Sequence, residues 1–404
     1  MGKSKVMDLF SAYTRDKLLY DLFTAYYDAR RNKRNTHNAL NFELHYESSL
    51  IQLCDEIVKK DYHPRRSIAF IVNKPVKREI FAADFRDRIV HHLIFNYISE
   101  IFEEHFINDS YSCRIGKGTH YGIKRVDHFI RSCSANYHKD CYILKIDIKG
   151  YFMSIDRSLL YEKVKKTLLK YSGKIDGDIA QILYLIRKTI FNEPVNCCIF
   201  KSNRDEWNGL PASKSLFHAK KNKGLPIGNL TSQLFANIYL SEFDHFMKWQ
   251  LKLRYYGRYV DDMVVVHPDR EYLKSVIASA SEYLKTNLML ELHPRKVYLQ
   301  HYTKGVVFLG TVIKPHRIYI ANRTKCNFYN AVGKQNEIIR NHKPSKEEKQ
   351  KFLQSMNSYL GILIHYNTYK LRKRAIYESL SCLWRNHVNL SKGLTRVVLK
   401  RKSR

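Results

Sequence analysis

The sequence predicts an α+β fold built on an antiparallel sheet. Three observations point there. Short β-branched runs at 66–82, 141–148 and 254–267 read as strands or hairpins. Longer stretches, among them 85–102, 230–250 and 270–287, carry apolar residues at helical spacing. Strands and helices do not strictly alternate, which favours an antiparallel sheet. At 404 residues and 44% hydrophobic content, the chain can bury two or three real cores and is not of disordered composition.

Taken in order, residues 5–60 read as helical, with a basic interruption, RRNKRNTHN, at 30–38. Helical spacing resumes from Leu40 to Val58. Residues 66–82 form two short strands around a basic turn centred on Pro75. The helix at 85–102 places Ile89, Val90, Leu93, Ile94, Tyr97 and Ile101 on its apolar side. A loop with Gly116 and Gly118 leads into a helix ending near Cys133, and CYILKIDI at 141–148 is a strand. Helices fill 157–171 and 177–191, and the basic segment 192–223 reads as irregular. A helix over 230–250 has Leu234, Phe235, Ile238 and Phe246 as its buried residues. RYYGRYVDDMVVVH at 254–267 is a hairpin, followed by a helix and by short strands to about 320. From 322 to 404 the chain reads as helical and basic.

Lys and Arg number 70 against 38 Asp and Glu, for a formal charge of +32. A basic excess of this size expects a polyanion. No apolar run approaches the ~20 residues that span a bilayer, so no membrane partner is expected. The N-terminus carries no signal-peptide run, and Val6 breaks the myristoylation pattern. The eight cysteines include no CxxC pair, which excludes a zinc ribbon and predicts reduced thiols in a cytoplasmic protein. Nucleic acid is the expected partner.

Carboxylates mark the candidate chemistry. Asp147 ends a strand that is apolar on both faces, where Asp is disfavoured. Asp261 and Asp262 sit in a tight hairpin turn without Gly, between RYV and MVVV. Adjacent strands of one sheet would bring the three together. They then repel one another unless cations neutralise them. Mg²⁺ does this with oxygen ligands and keeps open positions for substrate phosphates. Two such ions about 3.5–4 Å apart stabilise attacking and leaving oxygens in phosphoryl transfer. Neighbouring strand residues face opposite ways. Only one of Asp261 and Asp262 then bridges both ions, and alternation does not say which; Asp261 is favoured, beside Asp147, with Asp262 in support, and Mn²⁺ is an alternative ion.

These residues carry a resemblance. Tyr259-Val260-Asp261-Asp262 resembles the YxDD box of reverse transcriptases. LKIDIKGYFMSID at 144–156 is similar to their first palm motif, and GLPIGNLTSQLFANIYLSEFDHFMK at 224–248 to the motif that follows. REIFAADFRDRIVHH at 78–92 resembles the fingers motif, LHPRKVYL at 292–299 and VFLG at 307–310 the later palm motifs, and SYLGILIHYNTYKLRKR at 358–374 the thumb. The resemblance runs in order over roughly 65–380. It implies a right-hand polymerase with fingers, palm and a helical thumb. The expected divisions are an N-terminal helical region at 1–64, fingers and palm at 65–320, and a basic thumb and tail at 321–404.

The turn motif reads Ile227-Gly228-Asn229-Leu230-Thr231-Ser232-Gln233, where retroviral and intron enzymes carry Gln before the Gly and Ser-Pro after it. This IGxxxSQ form resembles the reverse transcriptases of diversity-generating retroelements, bacterial or phage-encoded. The implied activity copies a template-repeat RNA into cDNA with errors at adenines, and the cDNA then replaces a variable repeat of a target gene. The competing readings are a reverse transcriptase of a phage-defence or retron group and a catalytically silent RNA-binding scaffold. An RNA polymerase is disfavoured by the aromatic Phe152, at the position of the gate under the sugar.

The resemblance also implies roles. The Ile148 carbonyl would complete the metal on the dNTP side. Lys74 and Arg78 flank the fingers turn and would meet the triphosphate, Arg with bidentate contacts. Gly228 would let backbone approach the nascent pair, with Ile227 packing where an amide would otherwise hydrogen-bond. Lys296 would donate a proton to the pyrophosphate. Gly310 would permit approach of the primer strand, and Arg114 would contact template or nucleotide. Lys370, Arg372 and Lys373, with the basic residues up to Arg404, would track phosphates. Expected partners are template RNA, a DNA or RNA primer, dNTPs and a small basic accessory protein forming a helical-bundle oligomer. His91, His92 and His267 receive no role.

Overall fold

A computed structural model describes residues 2–31, 36–73 and 76–400, with side chains from Thr14 onward. The chain begins with α1 (Gly2–Arg30), α2 (His37–Glu43), α3 (Tyr46–Val58), β1 (Ser67–Val72), β2 (Arg78–Ala82), α4 (Phe85–His105) and α5 (Thr119–Cys133). Then come β3 (Tyr142–Asp147), α6 (Tyr151–Ser154), α7 (Arg157–Lys170), α8 (Ile179–Ile190), β4 (Cys198–Phe200), α9 (Leu230–His245), β5 (Tyr255–Tyr259), β6 (Asp262–His267) and α10 (Arg270–Leu288). The last part holds β7 (Tyr298–His301), β8 (Val306–Phe308), β9 (Thr311–Lys314), β10 (Arg317–Ile320), α11 (Asn322–Asn341), α12 (Lys346–Leu363), α13 (Tyr369–Arg374), α14 (Cys382–Arg385), β11 (Val388–Leu390) and β12 (Val397–Leu399). The fold is α+β, as the sequence predicts.

Two compact units result: Met1–Gly122 with Leu144–Leu299, and Ile123–Ile143 with Gln300–Arg404. These units are drawn differently from the expected division at 320. Residues 300–320 group with the C-terminal chain and with 123–143, because Tyr302 N donates to Cys141 O and the Tyr302 ring stacks on Tyr137 at 5.9 Å.

In the first unit, α3 buries Leu50, Leu53, Cys54 and Ile57, the i, i+3, i+4, i+7 stripe of an amphipathic helix. Helix α4 starts at Asp84, whose carboxylate accepts from Arg86 N at 3.0 Å as an N-cap. Its Tyr97 hydroxyl donates to Asp21 of α1 at 2.5 Å, and its Phe85 packs on Phe42 and Tyr26. The small sheet runs β2-β1-β4, with β1 antiparallel to β2 and parallel to β4. Segment 192–223 is irregular as expected, its regular structure limited to the short strand β4 and three 3-10 turns. Buried Glu79 fixes it by accepting from Trp207 Nε1 (2.7 Å), Ser215 Oγ (2.8 Å) and Leu216 N (2.6 Å). A buried carboxylate with three donors is stable where an unpaired one is not.

The larger sheet runs β5-β6-β3-β7. The β5–β6 pair is antiparallel with Tyr259 opposite Asp262, leaving Val260 and Asp261 as a two-residue loop. Helix α9 buries Leu234, Phe235 and Ile238 as predicted; a π turn at Phe246–Gln250 then buries Met247 and leaves Phe246 half-exposed.

In the second unit, β8, β9 and β10 form an antiparallel meander. Helices α11 to α14 enclose a core that includes Phe328, Phe352, Met356, Leu360 and Trp384, with Phe352 stacked on Trp384 at 4.1 Å. The chain there is not wholly helical: β11 and β12 pair as a hairpin, turned where Ser391 Oγ accepts from Thr395 N and Arg396 N. Val397 and Val398 supply the β-branched content that favours strand. Among the described residues, no helix is long and apolar enough to cross a membrane.

Candidate active site

Strand β3 runs YILKID, so Lys145 and Asp147 share one face while Ile146 is buried on the other. The hairpin turn of β5 and β6 presents Asp261 and Asp262. Lys145 Nζ pairs with Asp262 at 3.0 Å. Lys296 Nζ donates to both Asp147 oxygens, at 2.9 and 3.0 Å. Asp147 is further placed by its own carbonyl, which accepts from His293 N at 2.7 Å. Sequence reading reserved this neutralisation for metal ions; the fold also supplies two lysines.

The carboxylates feel one another. Burial first, and then the Asp147 charge, push Asp261 up to about 6. Burial likewise holds Asp262 at about 6 despite the opposing pull of Lys145. One oxygen of Asp262 is buried with no hydrogen-bond partner. Among the described residues, no three His, Cys, Asp or Glu side chains are gathered tightly enough to hold a metal as they stand. The donor chemistry nevertheless fits hard divalent cations: three carboxylates, one of which, Asp262, has an orphaned buried oxygen. Metal entry requires Lys296 and Lys145 to yield, which long flexible side chains do readily.

Phe152 and Ile227 come together. Both pack on one cluster containing Ala69, Phe81, Met153, Cys198 and Leu216. Ile227 O accepts from Phe81 N at 2.8 Å, and Asn229 Oδ1 accepts from Ala83 N at 3.0 Å, so this turn is zipped onto β2. Gly228 has φ +126°, and a Cβ there would lie 2.8 Å from Ile80. Glycine is needed at this close approach. Arg78 is exposed at the start of β2. Lys74 lies outside the described residues, as does Pro75.

Other expectations change. Arg114 is spent on the fold: it pairs with Glu103 at 2.7 Å and donates to Ile107 O and Ser110 O, so it is not free for template. Arg372 is buried and donates to Gly393 O and Leu394 O, holding the β11–β12 turn rather than a phosphate. Its neighbours Lys370 and Lys373 are exposed. Gly310 has φ +79° in the turn between β8 and β9, where its carbonyl accepts from Ala321 N. His91 is half-buried and bonded to Thr231 Oγ1 at 2.7 Å, and desolvation pushes its pKa down to about 3.

Sequence reasoning missed Lys145, whose signal was its i, i+2 spacing to Asp147. It also missed Arg258 and Asp244. These pair at 2.6 Å with neither exposed, and Tyr256 donates its hydroxyl to Asp244 at 2.7 Å.

Protein YkfC of Escherichia coli (strain K12) is 22% identical over 292 residues, covering 64% of this chain and 69% of that protein. Telomerase from Candida albicans, solved in complex with a TWJ fragment of telomeric RNA, superposes with TM-score 0.47 at 13% identity, over 80% of this chain and 58% of that one. Apo telomerase from Candida tropicalis, truncated from its C-terminal domain, gives TM-score 0.44 at 14% identity, over 63% and 55%. The chain thus spans little more than half of either telomerase chain. Residues 72–313, more than half of the chain, match the reverse transcriptase (RNA-dependent DNA polymerase) family, and they contain the β3 strand end, the Ile227–Gly228 turn and the YVDD hairpin; the chain belongs to that family.

Proposed function

We propose that this chain extends a DNA or RNA primer along a template RNA by two-metal nucleotidyl transfer. The pairing that carries the reading is Asp147 at a strand end with Asp261 in a tight turn, the Asp147 charge raising the cost of charging Asp261. Asp147, Asp261, Asp262 and the Ile148 carbonyl would hold Mg²⁺, which supplies charge stabilisation to the attacking and leaving oxygens. Arg78, with Lys74, binds triphosphate. Phe152, backed by its apolar cluster, closes the space beneath the sugar, so a 2′-hydroxyl meets a ring rather than a partner. Ile227 and Gly228 carry the base-pair side of the pocket on backbone strapped to β2. Lys296, released from Asp147, donates a proton to the departing pyrophosphate. Lys370 and Lys373 track nucleic-acid phosphates, and Gly310 admits the primer strand. The first unit corresponds largely to fingers and palm, the second to thumb.

The finer reading is a diversity-generating retroelement enzyme, working with a small basic accessory protein and making cDNA with errors at template adenines. The motif Ile227-Gly228-Asn229-Leu230-Thr231-Ser232-Gln233 supports it. So does the apolar setting of Ile227, which offers no polar check on the incoming base. The test is primer extension on a defined RNA with Mg²⁺ and dNTPs, followed by cDNA sequencing, with D261N as control. Errors concentrated at adenines, absent with the variant, support both levels. Accurate cDNA keeps the polymerase and transfers it to another bacterial group. No product, with the accessory protein supplied, leaves an RNA-binding scaffold.

A further inference from the structure

Val260 is the strained residue of the site. Its φ is +56°, in the left-handed region. A β-branched residue there is a genuine outlier. Two-residue hairpin loops with positive φ at the first position call for glycine. A conformation of this kind persists only where its surroundings over-determine it.

Arg258 supplies that constraint. Its Nη1 donates to Val260 O at 3.0 Å and to Asn237 Oδ1 at 3.3 Å. Its Nε and Nη2 grip Asp244 at 2.7 and 2.6 Å, and Nη2 also reaches Ser110 Oγ at 3.3 Å. The backbone of Arg258 is held too: its N–H donates to Asp109 O at 2.8 Å, and its carbonyl accepts from Tyr111 N at 2.9 Å. Gly257 alongside admits Tyr111, whose hydroxyl would lie 2.1 Å from any Cβ at that position. The guanidinium is therefore fixed at both ends before it reaches the turn. The Val260 carbonyl belongs to the peptide plane that joins Val260 to Asp261. Holding that oxygen sets the direction in which the Asp261 carboxylate leaves the backbone.

We propose that Arg258, oriented by Asp244, is a positioning residue for nucleotidyl transfer: it locks the Val260–Asp261 peptide so that a strained, glycine-free turn delivers Asp261 to the metal ions. The inference rests on the polymerase reading. It differs from a purely structural ion pair in what should rescue its loss. Glycine adopts the left-handed conformation without strain. With Gly at 260 the turn no longer needs its clamp.

The experiment compares wild type, V260G, R258K and R258K/V260G, with D244N as a second way to release the guanidinium. Mn²⁺ binding is followed by the electron paramagnetic resonance of the free ion. Primer-extension kcat, primer–template Kd and near-ultraviolet circular dichroism are measured beside it. Expected is an R258K protein that stays folded and keeps its primer–template Kd. It should lose roughly tenfold or more in kcat, with weaker Mn²⁺ binding. V260G added to R258K should recover most of both losses, and V260G should do the same for D244N. Failure of V260G to rescue either variant overturns the proposal. So does R258K with wild-type metal binding and rate, or unfolding of both R258K and D244N, which would make the pair structural only. A wild-type protein that makes no DNA but binds Mn²⁺ through Asp261 sinks the polymerase reading while the metal arm still decides the clamp. A wild-type protein without such binding counts against both.

Discussion

The two sides of the β5–β6 hairpin treat buried charge in opposite ways. Behind the turn, Arg258 and Asp244 are fully enclosed, and both are saturated with partners. Burial alone would lower the Arg258 pKa, yet the Asp244 charge more than reverses this. In front, Asp147, Asp261 and Asp262 share two lysines, one oxygen is orphaned, and two carboxyls are pushed up to about 6. Saturated polar groups hold a fold; under-satisfied ones are kept for something that arrives later.

The largest expected effect tests the front. D261N should cut single-turnover primer extension by roughly a thousandfold or more, since each lost factor of ten is about 1.4 kcal/mol of barrier. Circular dichroism should stay unchanged. A variant that retains activity would make the front no metal site. The next tests the back. D244A leaves a buried guanidinium unpaired and should cost about 3–5 kcal/mol in urea denaturation. A loss under about 1 kcal/mol would place that pair with ordinary surface ion pairs.

A smaller effect concerns Lys296. K296M should tighten metal binding, because Asp147 loses its resident cation, while lowering kcat about a hundredfold through the missing proton donor. Unchanged metal affinity would mean that the Lys296–Asp147 pair does not compete with cations.

The smallest is a pH effect. Asp262 titrates near 6 in the folded chain, above its ordinary value of 3.8. A raised carboxyl pKa means the folded state binds the proton more tightly. Its charge therefore destabilises above pH 6, and the loss is relieved as pH falls through 6 towards 3.8. D262N should accordingly be more stable than wild type at pH 7 by about 1 kcal/mol or more, with the difference vanishing near pH 4. Taking the difference cancels His91, which acts the other way. Its pKa is depressed in the fold, so it withdraws stability as pH falls below about 6.5. A D262N protein less stable than wild type at pH 7 would mean that the front is as well satisfied as the back.

Much of this was legible in the chain. Asp147 stood out as a carboxylate ending an apolar strand, and Asp261–Asp262 as a turn pair without glycine. Gly228 was legible as a turn glycine, but its close approach to Ile80 of β2 was not. Arg114 and Arg372 were misread because exposure cannot be seen in a sequence: an arginine that caps carbonyls and one that meets phosphate have the same letter and the same flanks. Segment 192–223 was legible as irregular, but the contact that fixes it was not, because Glu79 lies more than a hundred residues upstream.

The sequence by itself determined the α+β class, the large basic excess and the three carboxylates, because periodicity, composition and strand-end chemistry are local. Only the tertiary structure decided that Lys296 meets Asp147 and what holds the strained turn. Lys296 lies 149 positions from Asp147, and Asp244 faces Arg258 from a neighbouring helix. Pairing at that range is set by how sheet and helix stack, and no spacing in the chain encodes it.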